Sequence, residues 1–499
     1  MTTTDKDLAR ELTAPAEPTT AEEVDRIAAA SAEAGRLWAR TDRAERSRAL
    51  EAVADALDDA APVLIPIAGR ETHLTEGRLA GELARTTFQL RLFAETVREG
   101  SYLDARIDHA DPDWPMGAPR PELRRSQVPL GPVVVFAASN FPFAFSVAGG
   151  DTASALAAGC PVILKAHPGH PDLSATTGAV VRAALENAGA PVGLFDLVWG
   201  AEAGRAALSH PQVKAGAFTG SIEGGRALFD IACSRPEPIP FFGELGSVNP
   251  VFVTRAADAA RGAEIAAEFT GSFTLGAGQF CTKPGLLLVP SGATVTEVLR
   301  DTELSQAAPL LGDRIVAGYH DTLRRLSSES GVEVLRRGSK PEGEAPTPTL
   351  LATHVTTLLA DPDRLVTECF GPTALVVTYD DETELVDVAR AIDGQLTATL
   401  IAEETDDVAA DLTRVLVDKA GRLLWNQWPT GVSVTYAQQH GGPYPATTAP
   451  ATTSVGTAAI DRFVRAVAFQ NYPQHLLPDE LTDSPAAPAL RRVDGVAQN

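Results

Sequence analysis

An alternation that begins at residue 131 constrains this chain more than any other feature. Short β-branched runs and Ala-rich stretches of helical period follow one another from there without a break. Val133–Ala137 reads as a strand, and Phe143–Ala158 as a helix stopped by Gly159. Pro161–Lys165 and Leu194–Trp199 read as strands, separated by a helix over Asp172–Ala188 that ends near Gly189. Ala201–Ser209 reads as helix, Val213–Phe218 as strand and Glu223–Cys233 as helix. Repeated β-α-β units require a parallel sheet with helices on its faces. Ligands on such sheets gather outside the carboxyl ends of the strands. The residues that matter there are Ser139 and Asn140, Lys165 to His167, Thr219 to Ser221, and Glu244.

The flanks complete an α/β chain of more than one domain. Residues 1–18 read as loose, and Thr20-Ala-Glu-Glu23 has the spacing of a capping box. A second such box, Asp42 to Glu45, opens a helix whose apolar period runs to Leu57. Residues 104–128, rich in Pro, Asp and Arg, read as an exposed hairpin. A second α/β region begins near Val251, with a helix over Asp258–Leu275 and strands at Leu286–Pro290 and around Leu375–Thr378. Pro341–Thr349 reads as a loop, and the tail after Phe469 as irregular with a flexible end.

Composition removes whole classes of function. The 42 basic against 65 acidic residues give a net charge of -23, which disfavours nucleic acid and anionic lipid as partners. Four cysteines without a CxxC pair make no disulfide framework and suit a reducing compartment. No signal-like core or membrane-length apolar run is present, so a cytoplasmic location is expected. The nine histidines show no ligand spacing, so no metal is expected.

Four places can carry chemistry. Phe218-Thr-Gly-Ser-Ile-Glu-Gly-Gly225 leads from strand to helix, where Gly220, Ser221 and Gly225 can present amides to a pyrophosphate, though a tight turn uses the same residues. Cys281, in Gly276-Ala-Gly-Gln-Phe-Cys281-Thr-Lys-Pro, reads as a loop nucleophile whose pKa Lys283 can lower, or as a small buried hydrophobe. Glu244, after an apolar strand and between glycines, reads as a desolvated base with a raised pKa, or as a solvated loop charge. The Asn140 amide can donate to an oxyanion or cap a turn. Cys160 and Cys233 read as core, and Cys369 sits in Glu368-Cys-Phe-Gly-Pro372.

Taken together, Ser139-Asn-Phe-Pro142, Lys165, Phe218 to Ser221, Glu244-Leu-Gly246, Gly278 to Cys281 and Glu368 to Pro372 resemble the aldehyde dehydrogenase superfamily, over residues 20 to 475. Glu244 to Pro250, Phe280 to Gly285, Trp428 to Val432 and His440 to Thr447 resemble its branch of NADP-dependent fatty-aldehyde and 2-oxoglutarate semialdehyde (2,5-dioxopentanoate) dehydrogenases. The resemblance implies a Rossmann-like cofactor domain (1–103 and 129–245), an α/β catalytic domain (246–464), and a small β oligomerisation element (104–128 and 465–499). It implies oxidation of a small-molecule aldehyde by a homodimer or homotetramer. Cys281 attacks the aldehyde, Asn140 and the Cys281 N–H hold the oxyanion, and Glu244 activates water against the thioester. Lys165 contacts the adenosine ribose, Ser221 the pyrophosphate, Glu368 the nicotinamide ribose, and Phe370 packs near the nicotinamide.

Lys165-Ala-His-Pro168 lacks the acidic residue that many NAD-preferring relatives carry three positions after the lysine. That favours NADP, with Lys165 or His167 facing the 2′-phosphate, and leaves NAD open. The stretch from His440 to Ala446 departs from the usual loop. 2-Oxoglutarate semialdehyde is the substrate expected, with a cationic or amide anchor such as Gln279, Gln427 or an arginine. A fatty or general aliphatic aldehyde would instead use Phe141, Phe145, Phe280 and Trp428, although core packing suits Phe145 and Trp428. A thiol esterase working without cofactor is the remote alternative, weakened by the lack of a visible histidine partner for Cys281.

Overall fold

The computed structural model describes residues 14–15, 17–339, 345–487 and 489–498, so most of the 1–18 segment and part of the 341–349 loop lie outside the described residues. The alternating strands form one parallel sheet in the order Phe195–Val198, Val162–Lys165, Val133–Phe136, Ala215–Thr219, Phe241–Glu244. Val133–Phe136 is buried at every position, and the strand order reverses across it. The reversal opens a crevice at the carboxyl ends, between the turn after Phe136 and the turn after Thr219.

One element differs from its sequence reading in a way that shapes this crevice. Residues 141–149 form turns, and the helix spans only Gly150–Ala158. The Glu82 carboxylate accepts from Phe143 N (2.8 Å) and Ala144 N (3.0 Å), which fixes the segment after Asn140 as a turn. The box at Thr20 forms as expected, whereas Asp42 accepts from Ala44 N and its helix runs on to Thr72. Cys233 corrects another expectation: it is exposed, because its helix Ile222–Ser234 buries Gly225 and Ala232 and Cys233 turns away from that face.

The second sheet has seven strands in the order Glu333–Arg337, Thr349–His354, Thr373–Tyr379, Leu286–Pro290, Pro250–Val253, Gln395–Ile401, Ala420–Trp425, with only the first antiparallel to its neighbour. The third sheet joins the 104–128 excursion to the tail. Val464–Gln470, Leu123–Pro129, Ala105–Asp108, Arg491–Val493 and Val496–Gln498 lie side by side. The tail is therefore more ordered than its sequence suggests, because its strands borrow the hairpin as a template. Arg124, buried, fastens it through Glu122, Asp483 (2.6 Å) and the Leu481 carbonyl. No helix among the described residues is long and apolar enough to cross a membrane.

The segment from His440 to Thr448 clasps the first two sheets together. Leu245 N donates to Ala446 O (2.8 Å) and Thr448 N to Gly243 O (3.0 Å), while Gly394 N reaches Tyr444 O (3.2 Å) from the second sheet. A Cβ on Gly421 would collide with the Gly441 carbonyl, and one on Gly394 with the Pro443 carbonyl. Glycine at these positions is what lets the loop approach so closely. Gly421→Ala should therefore lower stability by about 1–3 kcal/mol through overpacking and shift His440, read as a lower denaturant midpoint together with reduced turnover. A variant with wild-type midpoint and rate would show that the loop yields freely.

Candidate active site

Three segments distant in sequence meet at one point. Glu244 ends the last strand of the first sheet, Cys281 follows a tight turn, and His440 comes from the clasping loop. Their ligand-type atoms all lie within 4.8 Å of one another. His440 Nε2 is 2.8 Å from Glu244 Oε1 and 3.5 Å from Cys281 Sγ, and Ser454 Oγ donates to Glu244 Oε2 (2.6 Å). A neutral imidazole has one N–H, and so short a contact with a carboxylate places it on Nε2. His440 thus donates to Glu244, and the acceptor left for the thiol proton is the carboxylate. Sequence reasoning missed this histidine; the one signal was that the loop around it departs from the family pattern.

The turn before Cys281 is held in an unusual backbone. Gly276, Ala277 and Gly278 all have positive φ (56°, 56° and 68°), and a Cβ at Gly278 would strike the Gly371 carbonyl. Asn249 Nδ2 donates to the Cys281 carbonyl (2.8 Å), fixing the next peptide. Asn140 is buried and gives one amide N–H to Gln279 O (3.0 Å), so the same amide has a second N–H to offer beside Cys281. The Cys281 N–H reaches no backbone carbonyl among the described residues.

Two electrostatic expectations reverse. Burial pushes the Cys281 thiol well above the usual thiol range, and the Glu244 charge pushes the same way, against the opposing pull of Arg422. Lys283 does not help: its buried Nζ donates to the carbonyls of Cys369 (2.6 Å), Gly371 (3.2 Å) and Thr373 (2.7 Å). Burial also works to raise Glu244, but His440, Ser454 and the thiol outweigh it and hold the carboxyl below its ordinary value. The resting pair is therefore thiol and carboxylate. Cys160 is buried as expected, and burial raises its thiol to about 11; Cys369 is buried too.

The residues expected around a dinucleotide line the first sheet's crevice and its rim. Ser221, which is exposed, caps the Ile222–Ser234 helix by accepting from Gly224 N. Gly220 N is committed to Glu244 O (3.0 Å), and a Cβ on Gly225 would collide with Leu245, so that glycine serves packing. Lys165 is half-buried at a strand end. His167 corrects an expectation: burial, with His170 and Lys165 nearby, lowers it to about 3, and its Nδ1 accepts from Gly169 N (3.0 Å). It is neutral and brings no charge to a phosphate. Glu368 and Phe370 are half-buried, and the Glu368 carboxylate faces Gly246, where a Cβ would come within 2.6 Å. Burial raises Glu368 to about 7. An open helix terminus, a lysine at a strand end and a carboxylate across the cleft fit a dinucleotide.

On the opposite side, Phe141 packs edge-on against Phe280 (5.3 Å) and Phe145 (5.4 Å). Gln279 is not available to a substrate: Leu311 N donates to its Oε1 (3.0 Å) and its Nε2 reaches Gly276 O (3.3 Å). Gln427 is exposed, and Trp428 packs on Phe269 (5.7 Å). Cys281, Glu244 and His440 lie close enough together that their side chains could hold a metal ion, a grouping that sequence spacing could not reveal. His440 also supplies the histidine that a thiol esterase seemed to lack, but with its Nε2 proton committed to Glu244.

Comparison with known proteins agrees with this architecture. The aldehyde dehydrogenase family matches residues 6–444. Alpha-ketoglutaric semialdehyde dehydrogenase of Acinetobacter baylyi is 43% identical over 96% of this chain and 92% of its own. Alpha-ketoglutaric semialdehyde dehydrogenase 2 of Azospirillum brasilense is 46% identical over 91% of this chain and 88% of its own. Among solved structures, lactaldehyde dehydrogenase from Escherichia coli superposes with a TM-score of 0.77 at 21% identity, covering 91% of this chain and 92% of that one. The chain is an enzyme of the aldehyde dehydrogenase family.

Proposed function

We propose that this enzyme oxidises 2-oxoglutarate semialdehyde to the dicarboxylate, with NADP preferred over NAD. The observation that carries the reading is the contact of Cys281, Glu244 and His440 beside the Asn140 amide. The two alpha-ketoglutaric semialdehyde dehydrogenases support the substrate. The absence of a carboxylate three positions after Lys165 supports NADP, and with His167 neutral the cationic partner for a 2′-phosphate is Lys165. Ser221 would hold the pyrophosphate and Glu368 a ribose.

Each step uses a group already in place. Glu244 takes the thiol proton and the Cys281 sulfur adds to the aldehyde carbon, turning the carbonyl oxygen into an oxyanion. The second Asn140 N–H and the Cys281 N–H stabilise that oxyanion. A bound nicotinamide supplies the two-electron acceptor that leaves Cys281 as a thioester. Glu244 passes the thiol proton on to solvent and, steered by His440 and Ser454, then removes a proton from water as it attacks the thioester carbon and the Cys281 sulfur leaves as thiolate. Copies of the chain would pair through the third sheet, where Val464–Gln470 is an open edge.

Two measurements test this. Purified enzyme with NADP or NAD should raise absorbance at about 340 nm with 2,5-dioxopentanoate and do so more efficiently than with aliphatic aldehydes. Inactivity toward every aldehyde would end the reading. Second, Glu244→Gln should slow turnover by about 10²–10³-fold, because it removes the base. The same change should speed alkylation of Cys281 near neutral pH, because the charge that raises the thiol pKa is gone. Slower alkylation in that variant would show that Glu244 does not oppose the thiolate.

A further inference from the structure

Helix Glu76–Glu99 presents Arg78, Glu82 and Arg85 at helical spacing along one face, and this face looks onto the catalytic segments. The Arg78 guanidinium lies 5.1 Å from the Phe141 ring centre and 4.8 Å from that of Phe280, and its Nη2 donates to the Asn140 carbonyl (2.9 Å). These two rings adjoin the oxyanion donor and the nucleophile in sequence. The Arg85 guanidinium lies 5.4 Å from the Phe145 ring centre, near enough to Cys281 and Glu244 for their charges to act on it.

Neither arginine is fully satisfied. Arg78 Nη1 and Arg85 Nη1 are buried without a hydrogen-bond acceptor. Leaving a buried donor without an acceptor is costly, the more so when it is charged, so these two groups are open to a partner. The obvious one, Glu82, acts on both through its charge but bonds to neither: its Oε1 is committed to Phe143 N and Ala144 N, and no ion pair joins it to either arginine among the described residues. One carboxylate set against two guanidinium groups leaves a net positive charge beside the catalytic segments.

We infer that Arg78 and Arg85 form an anion clamp that selects aldehydes ending in a carboxylate, with the ring wall of Phe141, Phe145 and Phe280 covering the carbons between the two ends. The inference rests on the proposed substrate and names what recognises it. In 2,5-dioxopentanoate the carboxylate lies four carbon–carbon bonds from the aldehyde carbon, about 5 Å when extended. Guanidinium and carboxylate match as paired donors and acceptors. A fatty aldehyde would leave both orphan donors desolvated and unpaired, so the same pair acts against a long alkyl chain. Gln279, committed elsewhere, cannot do this.

The test compares 2,5-dioxopentanoate with pentanal, which has the same number of carbons and no charge. In Arg85→Gln and Arg78→Gln the ratio of kcat/KM for the acid to that for pentanal should fall by about 30-fold or more, chiefly through KM for the acid, with partial recovery in Arg85→Lys. A ratio within about threefold of wild type in both variants would overturn the clamp while leaving the proposed function standing. A wild type that prefers pentanal would overturn the proposed substrate instead. Alkylation of Cys281 in the wild-type enzyme tests the clamp without substrate or variants. Iodoacetate should outpace iodoacetamide, with the excess suppressed by 2-oxobutyrate; a slower reaction with iodoacetate would contradict the clamp even if the variants fail to fold.

Discussion

The proposed reaction requires a single buried carboxylate to be kept ionised. Burial by itself would protonate Glu244, and three neighbours reverse that outcome: His440, Ser454 and the Cys281 thiol. The same charge holds the thiol in its protonated form. The two groups therefore oppose each other's activation at rest, and the enzyme keeps an unreactive thiol until an aldehyde arrives to accept the sulfur. A buried carboxylate stripped of one donor would lose the balance, because unpaired charge in such a place is far costlier than a paired one.

Architecture serves this pairing. Glu244 comes from the first sheet, Cys281 precedes the second, and His440 belongs to the loop that fastens one to the other. The distance between base and nucleophile is thus set by how closely the sheets approach, and glycines at Gly394 and Gly421 let the backbones touch. Glu82 performs a comparable service on the other side. By capping Phe143 and Ala144 it stops a helix from starting at Phe143, and the Asn140 amide bonds the Gln279 carbonyl two residues before Cys281.

Much of this was legible in the sequence, and the omissions share a cause. Apart from the helix expected from Phe143, period and glycine stops located the first sheet's strands and helices within a residue or two, because parallel α/β units advertise themselves locally. Cys281, Glu244 and Asn140 stood out through their neighbours. What failed depended on contacts remote along the chain. The 141–149 turns depend on Glu82, the ordered tail on the 105–108 strand, the neutral His167 on burial, and the histidine beside Cys281 on a loop 159 residues away. The direction of both central pKa shifts was also wrong. Lys283 is adjacent in sequence, yet its ammonium is spent on three carbonyls, and Glu244 acquired donors that no local pattern announces.

The most direct measurement follows the acyl group itself. Glu244→Gln enzyme, mixed with 2,5-dioxopentanoate and NADP and then quenched in acid, can be weighed intact and mapped by peptide mass. The account predicts that a stoichiometric acyl adduct accumulates on Cys281 in this variant and stays scarce in wild type. An adduct that never forms, or that sits on Cys160, Cys233 or Cys369, would contradict it.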